Sequence, residues 1–203
     1  MGKVKVSPRK VPLQSRAKAT VQAILEAGAR VLVKEGYDRF STNLVAATAG
    51  VSIGSLYQYY PSKEAIVAAL AERTFQSELE LIEQRLESVA TAPIHEAARA
   101  LIDAIVASHG LDPKLRHAII SQVPRVGALQ KKMDVEDRVA QLVKAVLDNR
   151  SDEVRPTDLD MASFILVHAV EAAIHAALAK RPEYLKSRRF RDELTALVVG
   201  FLR

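Results

Sequence analysis

Residues 41–63 read STNLVAATAGVSIGSLYQYYPSK, and the spacing within them decides the fold. Thr42 to Ala49 is long enough for a helix of about two turns. Gly50-Val51-Ser52 follows as a tight turn, and Gly50 supplies the positive φ that a short helix–helix turn needs. Ser52 is a good N-cap for a second helix, Ile53 to Tyr60. Pro61-Ser62-Lys63-Glu64 ends that helix and starts another, with Ser62 as its cap and Glu64 well placed in its first turn. Two short helices joined in this way make a helix-turn-helix. Ala46 is small where the helices cross, and Val51 and Leu56 are apolar anchors that lock the pair. Ser55, Tyr57, Gln58 and Tyr59 are left on the outer side, where they can hydrogen-bond or stack on DNA in the major groove. Three of the chain's five tyrosines, Tyr57, Tyr59 and Tyr60, fall here. An ordinary helical hairpin with a tyrosine-rich core fits the same residues.

Outward from this stretch, apolar residues recur with a helical period and strand signals are nearly absent. Val21, Ile24, Leu25, Gly28, Val31 and Leu32 form one face of a first helix, which Gly36 stops. Ile66, Val67 and Leu70 open another, continuing through Leu79, Ile82 and Leu86. Val139, Leu142, Val143, Val146 and Leu147 mark a later helix, and Phe190, Leu194, Leu197, Val198, Phe201 and Leu202 the last. Prolines at 61, 93, 113, 124, 156 and 182 punctuate the intervals. The chain is therefore expected to be all-α, with roughly nine helices.

Composition narrows the chemistry. The chain has 203 residues, 49% of them hydrophobic, enough to bury a real core. It has no cysteine, which excludes disulfide scaffolds, zinc fingers and cysteine nucleophiles and fits a cytoplasmic protein. The longest apolar stretch, Met161 to Ala179, contains Ser163, His168, Glu171 and His175. It reads as a buried helix of a soluble protein, because a carboxylate in hydrocarbon is costly. The net charge is +5, and all of it sits at the N-terminus. Residues 1–18 carry six bases and no acid, whereas residues 19–203 carry 23 bases and 24 acids. Residues 1–14 read as a basic, flexible arm; a soluble tail with no partner would carry the same charge. Between Phe40 and Ile66 the only charges are Lys63 and Glu64. Phosphate binding there must lean on hydroxyls, backbone amides and helix N-termini. On that reading, residues 3–18 add phosphate or minor-groove contacts beside the motif.

The pattern Thr42-x-x-x-Ala46-x-x-x-Gly50-Val51-Ser52-x-Gly54-x-Leu56-Tyr57-x-Tyr59-Tyr60-x-x-Lys63-Glu64 resembles the DNA-binding domain of TetR-family transcriptional regulators. The preceding AILEAGARVLVKEGYDRFST is similar to that family's leading helix, and the strong resemblance covers roughly residues 17–70. Beyond it the likeness is only in length, helical character and the last helix. The resemblance implies an N-terminal three-helix DNA-binding domain over 15–66 and a larger effector-binding and dimerisation domain over 67–203. It implies a cytoplasmic homodimer on a palindromic operator, a repressor released when a small molecule changes the spacing of the two motifs. Thr42 and Lys63 would contact phosphates. Ser52, Ile53, Gly54, Ser55 and Gln58 would lie at the groove, Tyr57 and Tyr59 would meet phosphates or base edges, and Tyr60 and Leu56 would face the core.

The last two helices, about 157–180 and 184–202, are long and apolar. Two such pairs across a two-fold axis make a four-helix bundle, the dimer surface that the resemblance also implies. Candidates for an effector pocket are His109 and His117, near a helix break at Gly110 to Pro113, together with Phe164, His168 and Glu171. His168, Glu171 and His175 share one helical stripe, which raises an alternative: an all-helical enzyme or metal-dependent protein. Two helical turns, about 10 Å, separate the histidines, so one metal cannot easily take all three. No catalytic motif is present. The expectation is thus no catalytic site, no metal and no cofactor, with double-stranded DNA, a second copy of the chain and an unknown small molecule as partners.

Overall fold

The computed structural model describes residues 15–203. The arm of residues 1–14 lies outside them, while Arg16 and Lys18 already belong to the first helix. The described residues form nine α-helices and no strand. They are α1 (Ser15–Arg39), α2 (Thr42–Ala49), α3 (Ile53–Tyr59), α4 (Lys63–Ser88), α5 (Ile94–Leu111), α6 (Pro113–Ile120), α7 (Leu129–Asp148), α8 (Leu159–Lys180) and α9 (Arg188–Leu202). Short 3-10 turns, Ser151–Glu153 and Pro182–Lys186, precede α8 and α9.

The local sequence explains most boundaries. Gly36 leaves helical geometry at φ 71°, although hydrogen bonding carries α1 on to Arg39. Ser41, Ser52, Asp158 and Ser187 cap α2, α3, α8 and α9, each accepting from a backbone N–H in the first turn. The Ser62 hydroxyl likewise accepts from Ala65 N–H at 3.2 Å, at the start of α4. The sequence extended α3 to Tyr60. It stops at Tyr59, with Tyr60 extended at φ −120°, ψ 112°, because the residue before a proline is pushed out of the helical region.

The described residues pack as two compact units, those up to Thr74 with Lys114–Lys131, and Phe75–Pro113 with Lys132–Arg203. The expected boundary after residue 66 and this division both fall inside α4. The return of Lys114–Lys131 to the first unit has no signal in a linear reading.

The first unit is centred on Ile24, Leu32, Phe40, Val45, Leu56, Ile66 and Val67, all essentially buried, with Ile119 and Val126. Gly28 lets α1 and α4 approach closely: a Cβ there would stand 3.0 Å from Ile66 Cγ2 and 3.8 Å from Phe40 Cζ.

In the second unit, Ile102 and Val106 of α5 pack with Val170, Ile174 and Leu178 of α8, Leu185, and Leu194 of α9. A second cluster joins Ile94, Leu147, Leu166 and Leu202, and a third joins Ile82, Leu86 and Val139. By length and composition α8 is apolar enough to cross a membrane. Its residues Ala162, Leu166, Val170, Ile174 and Ala177 are nonetheless buried in the protein core, with Ser163 among them.

Candidate DNA-reading face and an interior cavity

In the first unit the turn between α2 and α3 is built as its residues require. Gly50 adopts φ 68°, ψ 28°, and Val51 N–H reaches back to the Ala46 carbonyl at 3.1 Å. These bonds close the C-terminus of α2 and aim the chain into α3. Ala46 is 3% exposed and Leu56 0%, so the two helices meet through a small residue and a buried anchor. Val51, the second expected anchor, is only half-buried. A hydrogen bond of 3.1 Å between Thr42 Oγ1 and Tyr57 Oη ties the start of α2 to α3.

Ser52, Ile53, Gly54, Tyr57 and Gln58 are exposed along α3, with Ser55 and Tyr59 half-buried. Ser52 Oγ and Ser55 Oγ are 2.8 Å apart, and Ser52 Oγ also accepts from Ser55 N–H, so these two hydroxyls fix one another. Tyr60 is 3% exposed and turned inward, and burial pushes its phenol up to about 12.

Lys63, at the start of α4, is held by α1. Its Nζ donates to the Tyr37 carbonyl at 3.2 Å and lies 4.4 Å from the centre of the Tyr37 ring. The Tyr37 hydroxyl in turn donates to Glu64 Oε1 at 3.2 Å. Burial first, then Glu64, raises the Tyr37 phenol to about 12. Tyr37 had no place in the reading of the motif. Its spacing of about seven helical turns from Lys63 gives no hint that a non-helical corner at Gly36 brings them together.

The second unit holds a cavity of about 130 Å³. Its wall is largely apolar: Ile82 and Leu86 of α4, Leu101 and Ile105 of α5, Val139 and Val143 of α7, and Val167 and Val170 of α8 contribute to it. Polar side chains gather in two places. Glu78, His109, Lys132, Glu136 and Glu171 stand together in one part of the wall, and Arg150 in another.

At the first place, Lys132 Nζ donates to Glu136 and, at 2.8 Å, to Glu171 Oε1. Glu171 also faces His175 Nε2 at 3.7 Å. His109 is 1% exposed; its Nδ1 donates to the Ile105 carbonyl at 2.9 Å, leaving Nε2 3.6 Å from Glu78 Oε1.

At the second place, Arg150 is 8% exposed. Its Nη2 donates to the Val89 and Ala90 carbonyls at 3.2 and 2.5 Å, past the end of α4. Its Nη1 is buried without a hydrogen-bond partner.

Of the expected effector residues, His109 and Glu171 line the cavity, whereas His117, Phe164 and His168 do not. His117 is exposed on α6 and belongs to the first unit. Phe164 is 55% exposed, with its ring 4.3 Å from that of His168 in an edge-on contact. The helical period explains the split: Leu166, Val170 and Ile174 point inward, and residues 164 and 168 fall on the neighbouring face.

The stripe of His168, Glu171 and His175 is not gathered as one ligand set. Glu136, His168 and Glu171 do bring ligand atoms within 4.8 Å of one another. The positive charge such a set would take from a metal is already supplied by Lys132 on both carboxylates. Sequence reasoning missed Lys132, Glu136, Glu78 and Arg150. The i, i+4 pair Lys132/Glu136 on a helix with Val135, Val139, Val143 and Val146 was the available signal, and it resembles an ordinary solvated pair.

Comparison with known proteins follows the two units. A family model for bacterial regulatory proteins of the tetR family matches residues 24–70. A second, for the tetracyclin repressor-like C-terminal domain, matches residues 93–202. An uncharacterised HTH-type transcriptional regulator of Mycobacterium tuberculosis is 28% identical over 95 residues, 46% of this chain and 49% of that protein. The match thus spans about half of that relative's length.

Two solved structures share the fold. The TetR-family transcriptional regulator from Streptomyces coelicolor superposes with a TM-score of 0.68 at 24% identity, covering 92% of this chain and 97% of that one. The fatty acid degradation regulator FadR from Bacillus halodurans does so with a TM-score of 0.72 at 19% identity, over 91% and 96%. With a glycine-turned helix-turn-helix in one unit, helices around a cavity in the other, and a family model matched over each of those stretches, the chain belongs to the TetR family of transcriptional regulators.

Proposed function

We propose that the protein is a cytoplasmic, homodimeric repressor that binds a palindromic operator and is released by a small molecule held in the cavity of its second unit. The observation that carries the DNA part is the outer side of α3. Ile53, Gly54, Tyr57 and Gln58 are exposed there while Leu56 on the opposite side is fully buried. A short helix held in this way can enter a major groove with its exposed side toward the bases.

In this reading Ser55 and Gln58 read base edges, with Ser52, Ile53 and Gly54 at the groove. Thr42, Tyr57, Tyr59 and Lys63 meet phosphates. Residues 15–66 form the DNA-binding domain, and the chain from 67 onward holds effector and partner. The apolar cavity supports a ligand-responsive rather than a constitutive regulator. Exposed apolar residues on the last helices, Met161, Phe164, Ile165 and Leu197, support a dimer surface within 157–202. The function is recognition, not catalysis.

The test is fluorescence anisotropy of the pure protein on DNA from upstream of its own gene, at two salt concentrations. Ser55→Ala and Gln58→Ala should change the ranking of operator variants by roughly 1–3 kcal/mol per base pair affected. Tyr57→Ala should weaken all variants alike. Equal losses on every variant for all three substitutions would contradict the assignment of roles.

A further inference from the structure

We infer that the cavity takes an elongated amphipathic carboxylate, with its apolar chain along the α4 and α7 lining and its carboxylate on Arg150. The inference rests on reading this cavity as the effector site, and it adds the chemistry of the effector.

The lining is the first ground. Ile82, Leu86, Val139 and Val143 offer nothing polar to a ligand's middle. The cavity also has length: Phe75 and Leu86, both on its wall, lie eleven residues apart on α4, about 16 Å by helical rise. A chain fits such a space better than a compact polar molecule does.

The second ground is charge. Lys132 and Arg150 are the lysine and arginine on the wall. Lys132 is already bound by two carboxylates. Arg150 is held by two carbonyls that orient it without neutralising it, and among the described residues no carboxylate forms an ion pair with it. Its Nη1 is buried and unpartnered. Burying a guanidinium without an anion is costly, and a carboxylate answers its planar fork better than any neutral group. In the other polar part of the wall Glu78, Glu136 and Glu171 outnumber Lys132, which both Glu136 and Glu171 already hold, so an anion is not favoured there. Orientation follows: the acid group sits at Arg150 and the chain runs along the apolar lining.

Isothermal titration calorimetry with dodecanoate, dodecanol and dodecylamine tests this, on the intact protein and on Arg150→Met and Arg150→Lys. The intact protein should bind dodecanoate about tenfold to a hundredfold more tightly than dodecanol, the range of a charge-assisted hydrogen bond. Arg150→Met should erase that preference and leave dodecanol binding in place, and Arg150→Lys should keep part of it. If Arg150→Met fails to fold, the ranking on the intact protein and on Arg150→Lys decides. Equal binding of dodecanoate and dodecanol, a preference for dodecylamine, or a preference that survives Arg150→Met overturns the inference while the cavity remains a ligand site. No binding of any of the three overturns it together with the cavity's fitness for chains. Dodecanoate that binds with the expected preference yet leaves operator binding unchanged upholds the inference and removes the effector role.

Discussion

Thr42 and Tyr57 are fifteen residues apart and share a hydrogen bond of 3.1 Å. The family resemblance implies a phosphate contact for Thr42 and a phosphate or base-edge contact for Tyr57, yet in the free protein each also holds the other. Thr42→Val and Tyr57→Phe should therefore be coupled. A double-mutant cycle on thermal or urea unfolding should give about 0.5–1.5 kcal/mol of interaction, the ordinary worth of one hydrogen bond. Additive effects would show that the bond contributes nothing in solution.

Tyr60 and Tyr37 make a pH prediction. Burial raises both phenols to about 12, with Glu64 adding to the rise at Tyr37. The unfolded chain releases these protons near 10, so stability is intact below that pH and falls between about 10 and 12. For buried Tyr60 the loss at the top of the window is of order 2–3 kcal/mol. Unfolding followed from pH 9 to 12 should show this fall, and Tyr60→Phe should flatten it. That Tyr60 faces inward is what the family resemblance implies. That Lys63 is tied to Tyr37 was not legible in the sequence, because the contact crosses between α1 and α4.

At the scale of the element, α7 joins apolar packing to the polar part of the cavity. Val139 and Leu147 are buried, while Lys132 bridges Glu136 and Glu171. These groups are each less than a quarter exposed, so their mutual neutralisation matters. Lys132→Met leaves two carboxylates close together without their cation. It should cost somewhat less than the roughly 3–5 kcal/mol of a fully buried pair. Urea unfolding at pH 7 checks this, and a loss under about 0.5 kcal/mol would show that the bridge contributes little.

The helices of the motif were legible because their ends are marked chemically: Ser41 and Ser52 as caps and Gly50 as a left-handed turn, with Pro61 and Pro113 as punctuation. The cavity was only half legible. His109 and Glu171 were drawn from a helix break and a helical stripe. Whether a position such as Phe164 or His168 faces the cavity depends on how α8 is rotated against its neighbours, which a single helix's sequence does not encode. Arg150 lies just past the end of α7, where no periodicity applies.

For the whole molecule, the division of labour rests on a neutral reading motif and an apolar surface elsewhere. Phe164, 55% exposed, and Leu197, 50% exposed, lie on the helices expected to form the dimer surface. Phe164→Glu should convert the proposed dimer to a species near the 22.2 kDa chain mass in sedimentation equilibrium, with operator affinity lost in parallel. An unchanged mass would place the dimer surface elsewhere. The family match is what the sequence conveyed best, since the helix-turn-helix pattern is local. The packing of residues Lys114–Lys131 with the first unit depends on long-range contacts and was not readable.

The proposed function requires two copies of α3 to read DNA together. Selection of the pure protein against a pool of random double-stranded DNA tests that directly. The expected result is an enriched inverted repeat with half-site centres about one helical turn, or a multiple of it, apart, and its loss with Tyr57→Ala. A pool with no enrichment, or an enriched site without two-fold symmetry, would contradict it.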